Sequence, residues 1–124
     1  MKNMKEKILI IDDDNFISAA YKTKLESKGY IVDMAVNGKV ALEMLENELP
    51  NLIILDLLMP VMGGFEFLER KGIDAKLKDI PVIVTSNLGQ AVDMDRCLKL
   101  GVKDYIVKTK LKFPDLLDKI ARLV

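Results

Sequence analysis

Residues 8–14 join four apolar side chains to three carboxylates: Ile8, Leu9, Ile10, Ile11, Asp12, Asp13 and Asp14. A short apolar run of this kind is typical of a strand that is buried on both faces of a parallel sheet. Open α/β sheets form their sites in the crevice beyond the carboxyl ends of the strands. The stretch therefore predicts an α/β fold with acidic groups at one edge of its sheet.

Three later apolar runs also end in polar side chains. They are residues 52–55 before Asp56, residues 80–84 before Thr85 and Ser86, and residues 105–107 before Lys108. Because the carboxyl ends of parallel strands meet at the same edge of a sheet, we expect these polar groups to converge with the first acidic cluster.

Strand and helix patterns alternate from one end of the chain to the other. The predicted strands are about 7–12, 30–36, 52–56, 81–84 and 104–108. The predicted helices are about 15–28, 39–48, 65–71 and 88–100, with a last helix from Pro114. Parallel neighbours need crossover helices, and right-handed crossovers place these helices on both faces of the sheet. We predict a five-stranded, flavodoxin-like (βα)5 fold, doubly wound, with strand order 2-1-3-4-5.

Length and composition fit one globular domain. The chain has 124 residues, of which 50% are hydrophobic and 31% are charged, as expected for a single core. No repeat, low-complexity tract or linker interrupts the pattern. We expect residues 1–124 to form one domain without a separate output domain.

Residue counts exclude several classes of function. Lys plus Arg and Asp plus Glu both number 19, so the basic excess of a general nucleic-acid binder is absent. The chain has no His, which removes Ser-His-Asp catalysis, imidazole ligation and a His phospho-carrier. The single Cys97 excludes an internal disulfide, and we expect it to be a small buried residue on a helix.

The basic start of the chain lacks the features of a secretion signal. Residues 1–7 carry three lysines, but only four apolar residues follow before Asp12, too few for the apolar core of a signal peptide. No stretch approaches the length of a membrane span. We expect a cytoplasmic protein that does not contact a membrane.

The first and third strands are neighbours in the predicted order, which brings their acidic ends together. Either Asp14 or Asn15 is expected to cap the following helix, and capping is the role that we assign to Asp14, which leaves Asp12, Asp13 and Asp56. Two carboxylates about 4 Å apart repel by roughly 4 kcal/mol at an effective dielectric constant near 20. A proton or a cation has to relieve that repulsion. An all-oxygen site selects Mg2+, with Mn2+ as a stand-in.

Lys108 and Thr85 each have an ordinary interpretation when taken alone, as half of an ion pair and as a hydroxyl at a strand end. Together they place an ammonium and a hydrogen-bond donor opposite a metal. This set suits a transferring phosphoryl group, since catalysis of phosphoryl transfer is mostly positioning and charge stabilisation. One carboxylate can then act as nucleophile and form an acyl phosphate.

Over its whole length the chain resembles the receiver domain of two-component response regulators, in particular the single-domain, chemotaxis-regulator-like members. The similar motifs, in the same order and spacing, are residues 10–14, 56–64, 84–86 and 101–108. One such motif alone would be weak, but four at the right strand ends are highly specific.

The resemblance implies a role for each residue of the acidic cluster. Asp56 would accept a phosphoryl group from a sensor histidine kinase, a phosphotransfer protein or a small phosphodonor. Asp13 would bind Mg2+ directly and Asp12 directly or through water, with Asp56 and the backbone carbonyl of Leu58 as further ligands. The protein would catalyse only its own phosphorylation and dephosphorylation, and would not otherwise be an enzyme.

The resemblance also implies a switch. Lys108 would pair with the phosphoryl oxygens, and Thr85 would move to hydrogen-bond to them. Tyr105 would swing inward as Thr85 moves, and the small Ser86 would leave the phosphoryl path open. The fourth helix, fifth strand and fifth helix would change shape and bind a downstream protein, not nucleic acid directly. We expect a monomer or a weak phosphorylation-dependent dimer.

Two positions depart from the pattern of the family. The family usually has Pro after the Lys, joined by a cis peptide, whereas Thr109 follows Lys108. A cis bond before a residue other than Pro costs about 2.5–4 kcal/mol, which favours a trans bond and a differently shaped loop, and both isomers stay open at this point. Leu58 stands where polar residues are frequent, and we hypothesise that its apolar side chain slows dephosphorylation.

Three other interpretations stay open at this point. A metal-dependent phosphohydrolase with an Asp nucleophile would need a second Asp at position 58, which is Leu. A flavodoxin-like cofactor binder would need a Gly-, Ser- or Thr-rich loop after the first strand, where this chain has carboxylates. A receiver-like scaffold that does not switch is favoured only by Thr109.

Overall fold

The computed structural model describes residues 5–87 and 91–124. The strands in these ranges are β1 (Lys7–Ile11), β2 (Ile31–Ala35), β3 (Leu52–Leu55), β4 (Val82–Ser86) and β5 (Asp104–Val107). The α-helices are α1 (Asn15–Ser27), α2 (Gly38–Leu45), α3 (Gly64–Gly72), α4 (Ala91–Lys99) and α5 (Phe113–Leu123). The fourth helix was predicted to begin at about residue 88, and residues 88–90 lie outside the described part.

The five strands form one parallel sheet with the order β2-β1-β3-β4-β5, which confirms the predicted fold. Ile11 is paired with Leu55, and Leu55 is paired with Val84. The carboxyl ends of β1 and β3 are therefore level with each other and with Val84 of β4, and the residues that follow these three positions share one edge of the sheet.

The sheet carries a separate apolar layer on each face. Leu9 and Ile11 of β1 pack into the layer formed with α2, α3 and α4. Ile8 and Ile10 pack into the layer formed with α1 and α5. This alternation along one strand shows why the run is apolar throughout, since both of its faces are covered. The prediction of helices on both faces is confirmed.

Local signals place the ends of several helices. The Asp14 side chain accepts hydrogen bonds from the backbone N–H groups of Phe16 and Ile17, which confirms it as the cap of α1. Gly29 has φ +97° just after this helix, a conformation that favours glycine.

Cys97 is buried in α4, as predicted, and burial raises the pKa of its thiol to about 11.

The chain after β5 takes a course that the sequence did not predict. Lys108–Lys110 form a 3-10 helix, and all peptide bonds in residues 5–87 and 91–124 are trans. The bond before Thr109 is therefore trans, which settles the isomer that the sequence left open. Within the described ranges, none of the helices has the length and apolar character needed to cross a membrane.

Candidate functional site

Three carboxylates meet where β1 and β3 end. The backbone N–H of Asp56 donates to the carbonyl of Ile11 at 2.9 Å, which continues the ladder one step and fixes Asp56 beside the end of β1. One carboxylate oxygen from each of Asp12, Asp13 and Asp56 lies within 4.8 Å of the others. Asp12 and Asp56 are only 3% and 6% exposed, whereas Asp13 faces solvent. The predicted acidic cluster is therefore present.

Lys108 brings a single ammonium to this cluster from the end of β5. Its Nζ lies 2.6 Å from Asp12 Oδ2 and 3.6 Å from Asp56 Oδ1. Burial of the side chain lowers the pKa of Lys108, but the hydrogen bond to Asp12 and the charges of both carboxylates outweigh burial and raise it overall. Lys108 is therefore a fixed positive charge.

Asp56 has the opposite balance. Burial raises the pKa of its carboxyl group, and the charges of Asp12 and Asp13 raise it further, while Lys108 and a backbone hydrogen bond from Leu57 lower it. The net direction is upward. One ammonium thus does not neutralise three carboxylates, and a further cation would favour the ionised form of Asp56.

Both oxygens of Asp12 are already hydrogen-bonded. Oδ1 accepts from the backbone N–H of Asp14 at 2.9 Å, and Oδ2 accepts from Lys108. The backbone N–H of Asp12 donates to the carbonyl of Ala35 in β2 at 3.0 Å. Asp12 is therefore the most firmly held residue of the cluster, while the exposed Asp13 has the freest carboxylate.

The polar residues of β4 lie beside the cluster. Thr85 and Ser86 are the last two residues of β4, not the first residues after it, and both are buried. Because Leu55 pairs with Val84, Thr85 is level with Asp56. Thr85 is paired in turn with Ile106 of β5, so the hydroxyl lies on the strand between Asp56 and the strand that carries Lys108.

Tyr105 connects this edge of the sheet with the surface of β5. Its ring is half-buried and packs against the layer that contains α4. Burial raises the pKa of its phenol, and a side-chain hydrogen bond with Ser86 opposes that rise. Tyr105 and Ser86 therefore contact each other in this structure.

The loop between β3 and α3 presses closely on Asp56. A Cβ atom on Gly64 would lie 2.7 Å from the backbone carbonyl oxygen of Asp56, so only glycine fits. Val61 has φ +70°, a strained conformation for a β-branched residue, and Met62 N–H donates across it to the carbonyl of Pro60 at 2.8 Å. Leu58 is 61% exposed, so its side chain lies on the outer surface of this loop.

The donor set fits a hard divalent cation. Three carboxylates within 4.8 Å present oxygen ligands alone, which is the chemistry that Mg2+ and Mn2+ take. Asp13 and Asp56 are the residues best placed to hold such an ion, because both oxygens of Asp12 have other partners. An ion at this position would neutralise carboxylate charge and orient an oxygen of an incoming phosphoryl group.

Comparison with known proteins identifies this arrangement. The family model described as the response regulator receiver domain matches residues 8–121. The chain belongs to this family. The receiver domain is 38% identical over 108 residues to the probable transcriptional regulator ycf27 of Porphyra purpurea, covering 87% of this chain and 43% of that protein. The chain thus spans less than half the length of the first curated relatives that it matches.

Solved structures agree with this family assignment. The receiver domain superposes with a TM-score of 0.87 on the signal receiver domain of a histidine kinase from Syntrophus aciditrophicus, at 34% identity, covering 95% of this chain and 89% of that chain. It also superposes with a TM-score of 0.87 on a CheY-like receiver domain protein from Methanospirillum hungatei, at 33% identity, covering 96% and 93%. It is therefore a receiver domain of two-component systems.

Sequence reasoning missed three features around this site. Gly64 was taken only as a loop signal, although the adjacent Gly63 hinted at a crowded turn. Val61 carries no local signal for a positive φ. Tyr21 has the helical spacing of an apolar face of α1, yet the charges of Lys108 and Asp12 act on its hydroxyl, and no spacing in the sequence indicates that proximity.

Proposed function

We propose that Asp56 is the phosphoacceptor of this receiver domain and that its phosphorylation switches the binding of a partner protein. The observation that carries this proposal is the setting of Asp56 itself. It is a buried carboxylate at the end of a central strand, grouped with two other carboxylates and 3.6 Å from the ammonium of Lys108. A carboxylate so placed is within reach of a phosphoryl group and of the charges that stabilise its transfer.

In the proposed transfer, an Asp56 carboxylate oxygen forms a bond to phosphorus while the phosphorus–nitrogen bond of a phosphohistidine breaks. The leaving imidazole keeps the electron pair of the broken bond. A small acyl phosphate would donate in the same way, with a carboxylate as leaving group. Beyond this reaction and the hydrolysis of the product, we propose no enzymatic activity.

Lys108 has two tasks in this proposal. It holds Asp12 at 2.6 Å, and it lies close enough to Asp56 to pair with oxygens of the phosphoryl group after transfer. When bound, Mg2+ supplies charge neutralisation at the same oxygens. Asp13 and Asp56 would hold that ion, with Asp12 bound through water and the backbone carbonyl of Leu58 as a further ligand.

The proposed switch starts at Thr85. Its hydroxyl is buried next to Asp56 in the sheet and would hydrogen-bond to a phosphoryl oxygen. A shift of Thr85 would free space that Tyr105 can enter, breaking the contact with Ser86 that this structure shows. The surface of α4, β5 and α5 would change with Tyr105 and bind a downstream protein.

The cellular setting follows from the same proposal. The donor would be a sensor histidine kinase or a phosphotransfer protein, since the chain has no His of its own to carry a phosphoryl group. We propose a cytoplasmic protein that acts through protein partners, as a monomer or a weak dimer when phosphorylated. Residues 1–124 would work as one receiver module.

Intact-mass spectrometry tests the central claim. The wild type, Asp56→Asn and Asp118→Asn are incubated with acetyl phosphate and Mg2+. Asp118 is an exposed carboxylate on α5, so its variant controls for the lost charge. We expect one added phosphoryl group on the wild type and on Asp118→Asn, and none on Asp56→Asn. A phosphoryl group on Asp56→Asn, or no gain in the wild type, would refute the proposal.

A further inference from the structure

The Lys108 side chain, which carries the ammonium of the site, starts from a short turn at the surface, the 3-10 helix Lys108–Lys110. The pairing of β4 with β5 ends at Ser86 and Val107, so the backbone of Lys108 lies beyond the last paired position. The 3-10 helix that begins there has no side-chain cap at its N-terminal end, and its next residue, Thr109, is exposed. The sheet alone therefore does not fix the Lys108 backbone.

The segment that follows this turn is held by an aromatic contact. Phe113 is the first residue of α5, and its ring centroid lies 6.4 Å from that of Tyr21 in α1, with the planes inclined at 34°. Lys24 is in α1, like Tyr21, and its Nζ lies 5.1 Å from the centroid of the Phe113 ring. Both aromatic rings are half-buried against the layer between α1, α5 and the sheet.

The contact between Tyr21 and Phe113 joins the chain segments that carry Asp12 and Lys108, the two partners of the ion pair. Asp12 lies just before α1, and its Oδ1 accepts from the N–H of Asp14, the cap of that helix. Lys108 is the first residue of the 3-10 helix, and Phe113 follows the end of that helix by three residues. The partners of the 2.6 Å ion pair thus belong to two segments. Tyr21, nine residues after Asp12, contacts Phe113, five residues after Lys108.

Electrostatics place Tyr21 near the ion pair as well. Burial raises the pKa of the Tyr21 phenol, and the charge of Lys108 opposes that rise while the charge of Asp12 adds to it. In the other direction, Tyr21 is among the groups that raise the pKa of Lys108. The aromatic contact therefore lies close to the ammonium as well as to the turn that carries it.

We propose that Tyr21 and Phe113 are positioning residues that hold Lys108 against Asp12 and Asp56. A lysine side chain is long and flexible, and catalytic groups have to be held within about 0.5 Å of their productive positions. The contact between α1 and α5 would supply that constraint where the usual Pro after the Lys is replaced by Thr109. This inference rests on the proposed function, because it concerns the phosphorylation of Asp56.

Phe113→Leu removes the aromatic contact and keeps an apolar side chain. We expect its initial rate of phosphorylation by acetyl phosphate with Mg2+ to fall roughly two- to tenfold, which corresponds to the loss of one aromatic pair. Tyr30→Leu is the matched control, because Tyr30 packs against the same layer but precedes β2 at the opposite edge of the sheet. Its rate should stay within about twofold of the wild type.

A double-mutant cycle separates positioning from a general loss of packing. If Phe113 acts through Lys108, Phe113→Leu should slow phosphorylation in the wild type but cause no further slowing in Lys108→Ala. An equal slowing in both backgrounds, or an equal slowing by Tyr30→Leu, would overturn the inference. Should Phe113→Leu be unfolded by circular dichroism, Tyr21→Leu removes the other ring and carries the same cycle.

The same experiment distinguishes failure of the proposed function from failure of the positioning role. A wild type that gains no phosphoryl group refutes the proposed function itself. If the wild type is phosphorylated but the initial rate of phosphorylation of Phe113→Leu equals that of Tyr30→Leu, only the positioning role of Tyr21 and Phe113 is refuted.

Discussion

Replacing Asp56 by Asn should make the metal-free domain more stable. Asp56 faces carboxylates of Asp12 and Asp13 at up to 4.8 Å, and each repels it by about 3.5 kcal/mol at an effective dielectric constant near 20. Lys108 at 3.6 Å attracts it by about 4.6 kcal/mol on the same scale. The sum is repulsive by about 2.4 kcal/mol, and Asn removes all three terms while keeping the shape of the side chain.

Solvent reduces that sum, because Asp13 is exposed and exposed charges are screened. We therefore expect the free energy of unfolding of Asp56→Asn to exceed that of the wild type by about 1–2 kcal/mol. Urea denaturation at pH 7, low salt and without divalent cations measures it. Asp118→Asn changes the net charge equally on an exposed part of α5 and should stay within about 0.5 kcal/mol of the wild type.

The dependence on pH gives a second check on the same variant. The pKa of Asp56 is raised in the folded protein, so its ionisation costs stability as the pH rises from the ordinary carboxyl pKa of 3.8 through the folded pKa. Asn does not ionise. The gain in free energy of unfolding of Asp56→Asn over the wild type should be complete above the folded pKa of Asp56 and shrink as the pH falls. A gain in stability that does not depend on pH, or no gain at pH 7, would refute the electrostatic reasoning.

Three further predictions concern other residues near the site and in the core. Leu58→Asn should speed dephosphorylation, because an amide at this exposed position can bind the attacking water, and an unchanged phosphoryl half-life would remove the hypothesis. Gly64→Ala should lower the free energy of unfolding by about 1–3 kcal/mol in urea titrations, since its Cβ would meet the Asp56 carbonyl oxygen at 2.7 Å. Gly72 has open space around it, so Gly72→Ala should not destabilise the domain in the same assay. Cys97, with a thiol pKa of about 11, should resist a thiol reagent at pH 8 and react once urea unfolds the domain.

The strand ends were predictable because each carries two independent signals. A run such as 52–55 is apolar on both faces, which identifies a central strand, and the next residue, Asp56, is polar where the sheet ends. Thr85 shows how far that logic reaches. The prediction placed it after the fourth strand, whereas it is inside β4, because a buried hydroxyl can remain within a strand that has a site at its end.

Features that depend on contacts between distant segments could not be predicted in this way. Tyr21 and Phe113 both fit an apolar helix face, and helical spacing does not state which helix packs against which. Lys71 is a second example. A lysine near the end of a helix is normally exposed, yet this one is buried with its Nζ donating to the carbonyl of Lys78 at 3.1 Å. Burial lowers the pKa of Lys71, and only the folded linker after α3 reveals it.

The formal charge of the site links cation binding to phosphorylation. Asp12, Asp13 and Asp56 with Lys108 give three negative charges and one positive charge, a formal total of −2. A phosphoryl donor brings further negative charge to the same oxygens, so its approach is opposed unless positive charge arrives as well. Any divalent cation that binds here should therefore bind more tightly to the phosphorylated domain, and by linkage it should favour phosphorylation by the same factor. The repulsion that weakens the metal-free fold is thus the source of that coupling.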